Sequence, residues 1–162
     1  MTDLARLQPK ELFQLHADVM EELYRRKIVR SSNNPTGDLA EMLFCQAFSW
    51  QQENNSNAHF DAVDPGCGAK YQIKARRVTK RNPSRQLSAI RNLDGGHFQF
   101  VAGVLFDERY AIKQAAFIPH RVILEGAKFV SKTNSHKFMF RNKVMQLPGV
   151  EDVTDRLRAV WY

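Results

Sequence analysis

Cysteine is nearly absent from this chain: Cys45 and Cys67 are the only two, and neither is matched with histidines at zinc-site spacing. That excludes a disulfide scaffold and a zinc finger. Long apolar runs are missing as well, with nothing near the ~18 consecutive residues of a membrane-spanning helix. The opening "MTDLARLQPKELF" has no basic segment followed by an apolar core, so no secretory leader is expected there. Repeats, low-complexity tracts and linkers are absent too. Together these point to a soluble, reduced, cytoplasmic protein that does not associate with membranes.

One absence is local. From Pro65 to Leu93 there is no aspartate or glutamate, while that stretch carries eight of the chain's 24 lysines and arginines: Lys70, Lys74, Arg76, Arg77, Lys80, Arg81, Arg85 and Arg91. The formal net charge is +7, which favours an anionic partner such as nucleic acid. Length and composition are ordinary for one folded domain, with 162 residues, 43% hydrophobic and 25% charged. A single domain over residues 1–162 is expected.

The pattern along the chain predicts an amphipathic helix from Pro9 to about Lys27, with Leu12, Leu15, Val19 and Leu23 facing the core. After the turn-rich "RSSNNPTGD", a second helix is expected over about 37–50, with Thr36 or Asp38 as its N-cap. A polar loop over 51–58 precedes two strands around "DPGCG". A helix seeded at "SRQLSAIRNL", a strand over 98–106 apolar on both faces, and a strand over 110–118 follow. A peripheral hairpin around Thr133, Asn134 and Ser135 and a short terminal helix complete the reading. The order predicts an α/β fold, a central mixed β-sheet flanked by helices, with a small C-terminal extension.

The hairpin focuses the chemistry. With a tight turn at "PGCG", Asp61 lies across from Gln72, Phe60 from Ile73 and Ala62 from Tyr71. His59, Asp61, Gln72 and Lys74 then share one face and the apolar residues the other, unless a bulge shifts the register. Asp64 starts the turn, and the histidines His59, His97, His120 and His136 show no ligand spacing. On the second helix, Glu41 sits beside Phe44, Cys45 and Phe48 at the edge of an apolar stripe. A carboxylate placed there needs a cation or donors. Glu41, Asp61 and the Gln72 amide oxygen suit a hard divalent ion, Mg2+ or Mn2+, and Lys74 beside them suits phosphodiester hydrolysis.

"GDLAEMLF" and "FDAVDPGCGAKYQIKAR", with the helix and strand expected after them, resemble the PD-(D/E)xK, or restriction-endonuclease-like, nuclease superfamily over about residues 37–118. The resemblance implies an α-β-β-α-β core, with Glu41 and Asp61 as metal ligands, Gln72 at the usual acidic position and Lys74 as catalytic lysine. Gln72 departs from the common pattern by offering a neutral oxygen. The leading expectation is therefore a magnesium-dependent DNA endonuclease of restriction, defence or genome-maintenance type, acting as a homodimer on a two-fold symmetric duplex. Arg76, Arg77, Lys80, Arg81, Arg85 and Arg91 would meet phosphates. Two rivals stand beside it: a catalytically inactive nucleic-acid-binding module of the same fold, and a protein-interaction domain that meets an acidic protein.

Overall fold

A computed structural model of the chain describes residues 3–54 and 59–161; of the polar loop expected over 51–58, Gln51 and Gln52 form a short strand instead, and 55–58 lie outside the described residues. Helix α1 (Pro9–Arg25) begins where expected, and the Glu11 carboxylate accepts the Gln8 N–H at 2.7 Å to close its first turn. Helix α2 (Thr36–Phe48) is ended by Ser49 in the left-handed conformation, φ 56°. Next come β1 (Gln51–Gln52), β2 (Ala62–Val63), β3 (Lys70–Arg77), β4 (Phe100–Phe106) and β5 (Ile112–Pro119). The chain ends with α3 (His120–Gly126), a hairpin of β6 (Lys128–Val130) and β7 (Ser135–Lys137), then β8 (Glu151–Asp152) and α4 (Thr154–Arg158).

Six strands form one mixed sheet in the order β1-β2-β3-β4-β5-β8. Only β3 and β4 run parallel; the other pairs are antiparallel. Alternation along β3 puts Tyr71, Ile73 and Ala75 against Leu39, Leu43 and Phe44 of α2 and Leu157 of α4 in one buried cluster. The opposite face carries Gln72, Lys74 and Arg76, paired in register with Val101, Gly103 and Leu105. That face is covered by a second cluster built from Leu87, Ile90, Leu93, Ile123, Phe138 and Phe140.

Two expectations about the elements need correction. No α-helix forms over 84–93, where only Leu93 enters a short 3-10 turn, so the α-β-β-α-β order is broken at its second helix. The segment is extended instead. The Leu87 N–H donates to the Phe138 carbonyl at 3.0 Å, and Ile90 exchanges N–H···O bonds with His136 at 3.0 and 2.7 Å. Its apolar residues recur every three positions, which mimics a helix, but all three are fully buried and the backbone finds its partners on the β6–β7 side. The second correction concerns α1. Its amphipathic stripe does not join the core: none of its residues is buried, and Phe13 is 78% exposed. The sheet face it would cover is already taken by α2 and α4.

No helix among the described residues is long and apolar enough to cross a membrane. Cys45 and Cys67 are both free.

Candidate active site

The site is assembled where α2, the start of β2 and the middle of β3 meet. Asp64 begins the turn as expected, accepting the Gly66 N–H at 2.7 Å, and Gly68 takes φ +75°, the left-handed geometry that a tight turn requires of glycine. The pairs Val63↔Lys70 and Ala62↔Tyr71 follow in the predicted register. Then the ladder bulges. The Asp61 N–H donates to the Tyr71 carbonyl at 2.8 Å, so Asp61 and Ala62 both oppose Tyr71 and the expected Asp61–Gln72 pair does not form. One extra residue reverses the face of what precedes it. Phe60 accordingly leaves the Tyr71 face and packs against the second cluster, with the Lys70 ammonium 4.8 Å from its ring centre.

Asp61 itself stays in the site. Its carboxylate accepts the Ile73 N–H at 2.6 Å and lies 3.9 Å from the Lys74 ammonium. Both side chains are largely withdrawn from solvent, 23% and 16% exposed, so this ion pair is screened far less than a surface one. Gln72 lies on the same strand face as Lys74, 4% exposed, with its Oε1 buried and without a donor among the described residues. Leaving such an acceptor empty costs about 1–3 kcal/mol.

Glu41 reaches Asp61 from the other side. Both line a cavity of about 240 Å³ together with Arg30, Asp38 and Glu53. Burial, and after it the neighbouring Asp61 charge, push the Glu41 carboxyl above its ordinary value; Arg30 and a 3.0 Å hydrogen bond from Gln52 oppose that shift. The cation that answers Glu41 is Arg30, whose guanidinium bonds directly to it and also donates to the Glu53 carbonyl at 3.1 Å.

Arg30 is the residue that spacing along the sequence misses, because it sits in the loop before α2 and enters the site by a fold-back. Asp38 makes that fold-back. Neither it nor Thr36 caps the helix; Pro35 is the N-cap, and the Asp38 carboxylate accepts the N–H groups of Arg30 and Ser31 at 2.8 and 3.0 Å. The apolar neighbours of Glu41 in the sequence are the only signal that a cation has to come from somewhere.

Glu41 and Asp61 line the cavity and Gln72 does not, so the donors that share it are carboxylates, which suit a hard divalent ion that keeps water ligands. Among the described residues, no three His, Cys, Asp or Glu side chains gather to hold a metal, so Gln72 and solvent would have to complete the set. Burial and the Glu41 charge push the Cys45 thiol up to about 11, so it is protonated at neutral pH.

The basic residues divide. Arg85 donates to the Oε1 of buried Gln114 at 2.6 Å. Arg77 bonds to the Glu108 carbonyl at 3.1 Å and stacks on Tyr110, 4.6 Å from the ring centre. Lys80, Arg81 and Arg91 are exposed, and Arg76 lies half-buried on the Lys74 face. Three of the histidines do come together: His59, His97 and His136 line one cavity of about 370 Å³, with the first two rings 4.2 Å apart.

No protein-family model matches the chain, and no curated protein sequence matches it.

Proposed function

We propose that the chain is a divalent-metal-dependent DNA endonuclease with a restriction-endonuclease-like site built from Glu41, Asp61, Gln72 and Lys74. The observation that carries this reading is the partly buried pair at 3.9 Å between Asp61, just before β2, and Lys74 on β3, with Glu41 in the same cavity as Asp61. Glu41, Asp61 and the Gln72 amide oxygen would hold Mg2+ or Mn2+, which when bound supplies Lewis acidity and lowers the pKa of a coordinated water. Lys74 places a positive charge where a phosphate gains negative charge. Asp61 keeps the lysine oriented, and its own position is fixed by the Ile73 N–H. Lys80, Arg81 and Arg91 would meet backbone phosphates around the site. A homodimer belongs to the same proposal, because one such site cuts one strand and a two-fold pair matches a duplex.

A specific observation favours a second reading, an inactive nucleic-acid-binding module. Arg30 already gives Glu41 a cation, and Gln72 brings no charge. The deciding experiment incubates plasmid, branched and single-stranded DNA with the protein, with and without Mg2+ or Mn2+, beside Lys74→Ala. Divalent-dependent nicking that Lys74→Ala loses supports the nuclease. DNA binding without any cleavage in either ion would leave the binding module.

A further inference from the structure

Next to the candidate site lies a larger cavity, about 470 Å³, between the start of α2 and the end of β3. Asn34 and Gly37 line it from the helix side, Arg76 and Arg77 from the strand, and Asn82 and Ser88 from the segment that crosses to β4. No acidic side chain lines it. Arg76 makes no ion pair among the described residues, and its Nε is buried with no acceptor. A buried guanidinium N–H without an acceptor is costly in the free protein and satisfied when an anion arrives.

The helix end adds to this. Pro35 at the N-cap offers no side-chain acceptor; the Asn34 Oδ1 takes the Thr36 N–H at 3.0 Å, and the Gly37 N–H, which has no acceptor among the described residues, is left for a ligand. Gly37 leaves that approach open, since a Cβ built there meets nothing within 4 Å. Arg76 is two residues beyond Lys74 on the same strand face, roughly 6.6 Å along β3, about the step from one phosphate of a nucleic-acid strand to the next.

We propose that this cavity is a phosphate subsite that seats one backbone phosphodiester, adjacent to the phosphate facing Lys74. Arg76 donates to the anion through its guanidinium fork and the N-terminal turn of α2 donates from the other side. The proposal rests on a nucleic-acid substrate, but not on cleavage.

The test therefore uses the full chain in the absence of divalent metal. NMR titration with inorganic phosphate is expected to shift the Gly37 N–H and the Arg76 Nε–H together. Anisotropy with a labelled DNA duplex is expected to show at least about a tenfold loss of affinity for Arg76→Ala, the scale of a charge-assisted hydrogen bond, and little change for Lys132→Ala in the distant hairpin. Gly37→Glu guards against a folding artefact. A carboxylate near a helix N-terminus supports the helix, yet it fills the cavity with like charge, so binding should fall while the melting temperature holds. Phosphate shifts with unchanged DNA affinity would assign the cavity to a small phosphate and overturn the subsite. Unchanged shifts and unchanged affinity would overturn it outright. A failure to cleave DNA with Mg2+ would sink the nuclease reading and leave this result standing.

Discussion

Gln72 sits between Tyr71 and Ile73 on a strand whose other face is core, and it is itself 4% exposed with an Oε1 that receives no donor among the described residues. A glutamine kept only for structure would have that oxygen bonded, since buried polar groups normally are. Under the proposed function, that oxygen, on the strand face it shares with Lys74, would be completed by a cation. On the proposed reading, Gln72→Glu replaces a dipole with a charge at the same reach and should keep or raise divalent affinity. Asp61→Asn should weaken it and abolish cleavage while largely sparing the fold. A purely structural Gln72 makes the opposite forecast: Gln72→Glu buries an unpaired charge, lowers the melting temperature and leaves metal binding alone. Calorimetric Mg2+ titration of the three proteins, with thermal melts, separates the cases, and equal affinity across all three would refute the metal role.

At the scale of elements, what could be read in the sequence is what local pattern determines. The helix of Leu39, Leu43 and Phe44, the turn at Asp64 and Gly68, and the unbroken apolar run of β4 all follow from near neighbours in the chain. The pieces that were not legible depend on distant partners. The two-residue β8 exists because Glu151 and Asp152 pair with Phe117 and Ala116, and nothing in their own neighbourhood announces a strand. The bulge at Asp61 was foreseeable only as a condition on the register. The 84–93 segment shows the same limit, with helical spacing overridden by backbone partners near 136–140. Helix α1 shows the converse, a correct helix whose apolar face finds no core. These two corrections give a paired prediction. Leu87→Ala, fully buried, should cost about 2–5 kcal/mol. Phe13→Ser, 78% exposed on α1, should change stability by no more than about 0.5 kcal/mol. Urea unfolding of both variants checks it, and a large cost at Phe13 would mean that α1 packs on the body after all.

Across the whole molecule, charge is segregated. Helix α1 carries four acids, Glu11, Asp18, Glu21 and Glu22, against two bases, Lys10 and Arg25, within a chain of net +7. The acid-free stretch runs from the turn after β2, along β3 and onto the exposed crossing segment beside the candidate site. On the proposed reading, a duplex is drawn to that stretch rather than to α1, whose own charge is net negative. Lys80 and Arg81 are exposed there, as Asp18 and Glu21 are on α1. Counterion release makes the arrangement measurable, since each phosphate contact contributes about one unit to the slope of log affinity against log salt. Replacing Lys80 and Arg81 together by serine should therefore flatten the slope by about 2 units. The Asp18→Ser, Glu21→Ser double variant, which alters net charge by the same magnitude in the opposite direction, should leave the slope as it is. If the two doubles shift the slope by similar amounts in opposite directions, bulk charge is being read and the duplex has no defined seat. If neither shifts it, the basic segment does not meet nucleic acid, and an acidic protein becomes the partner that its charge fits.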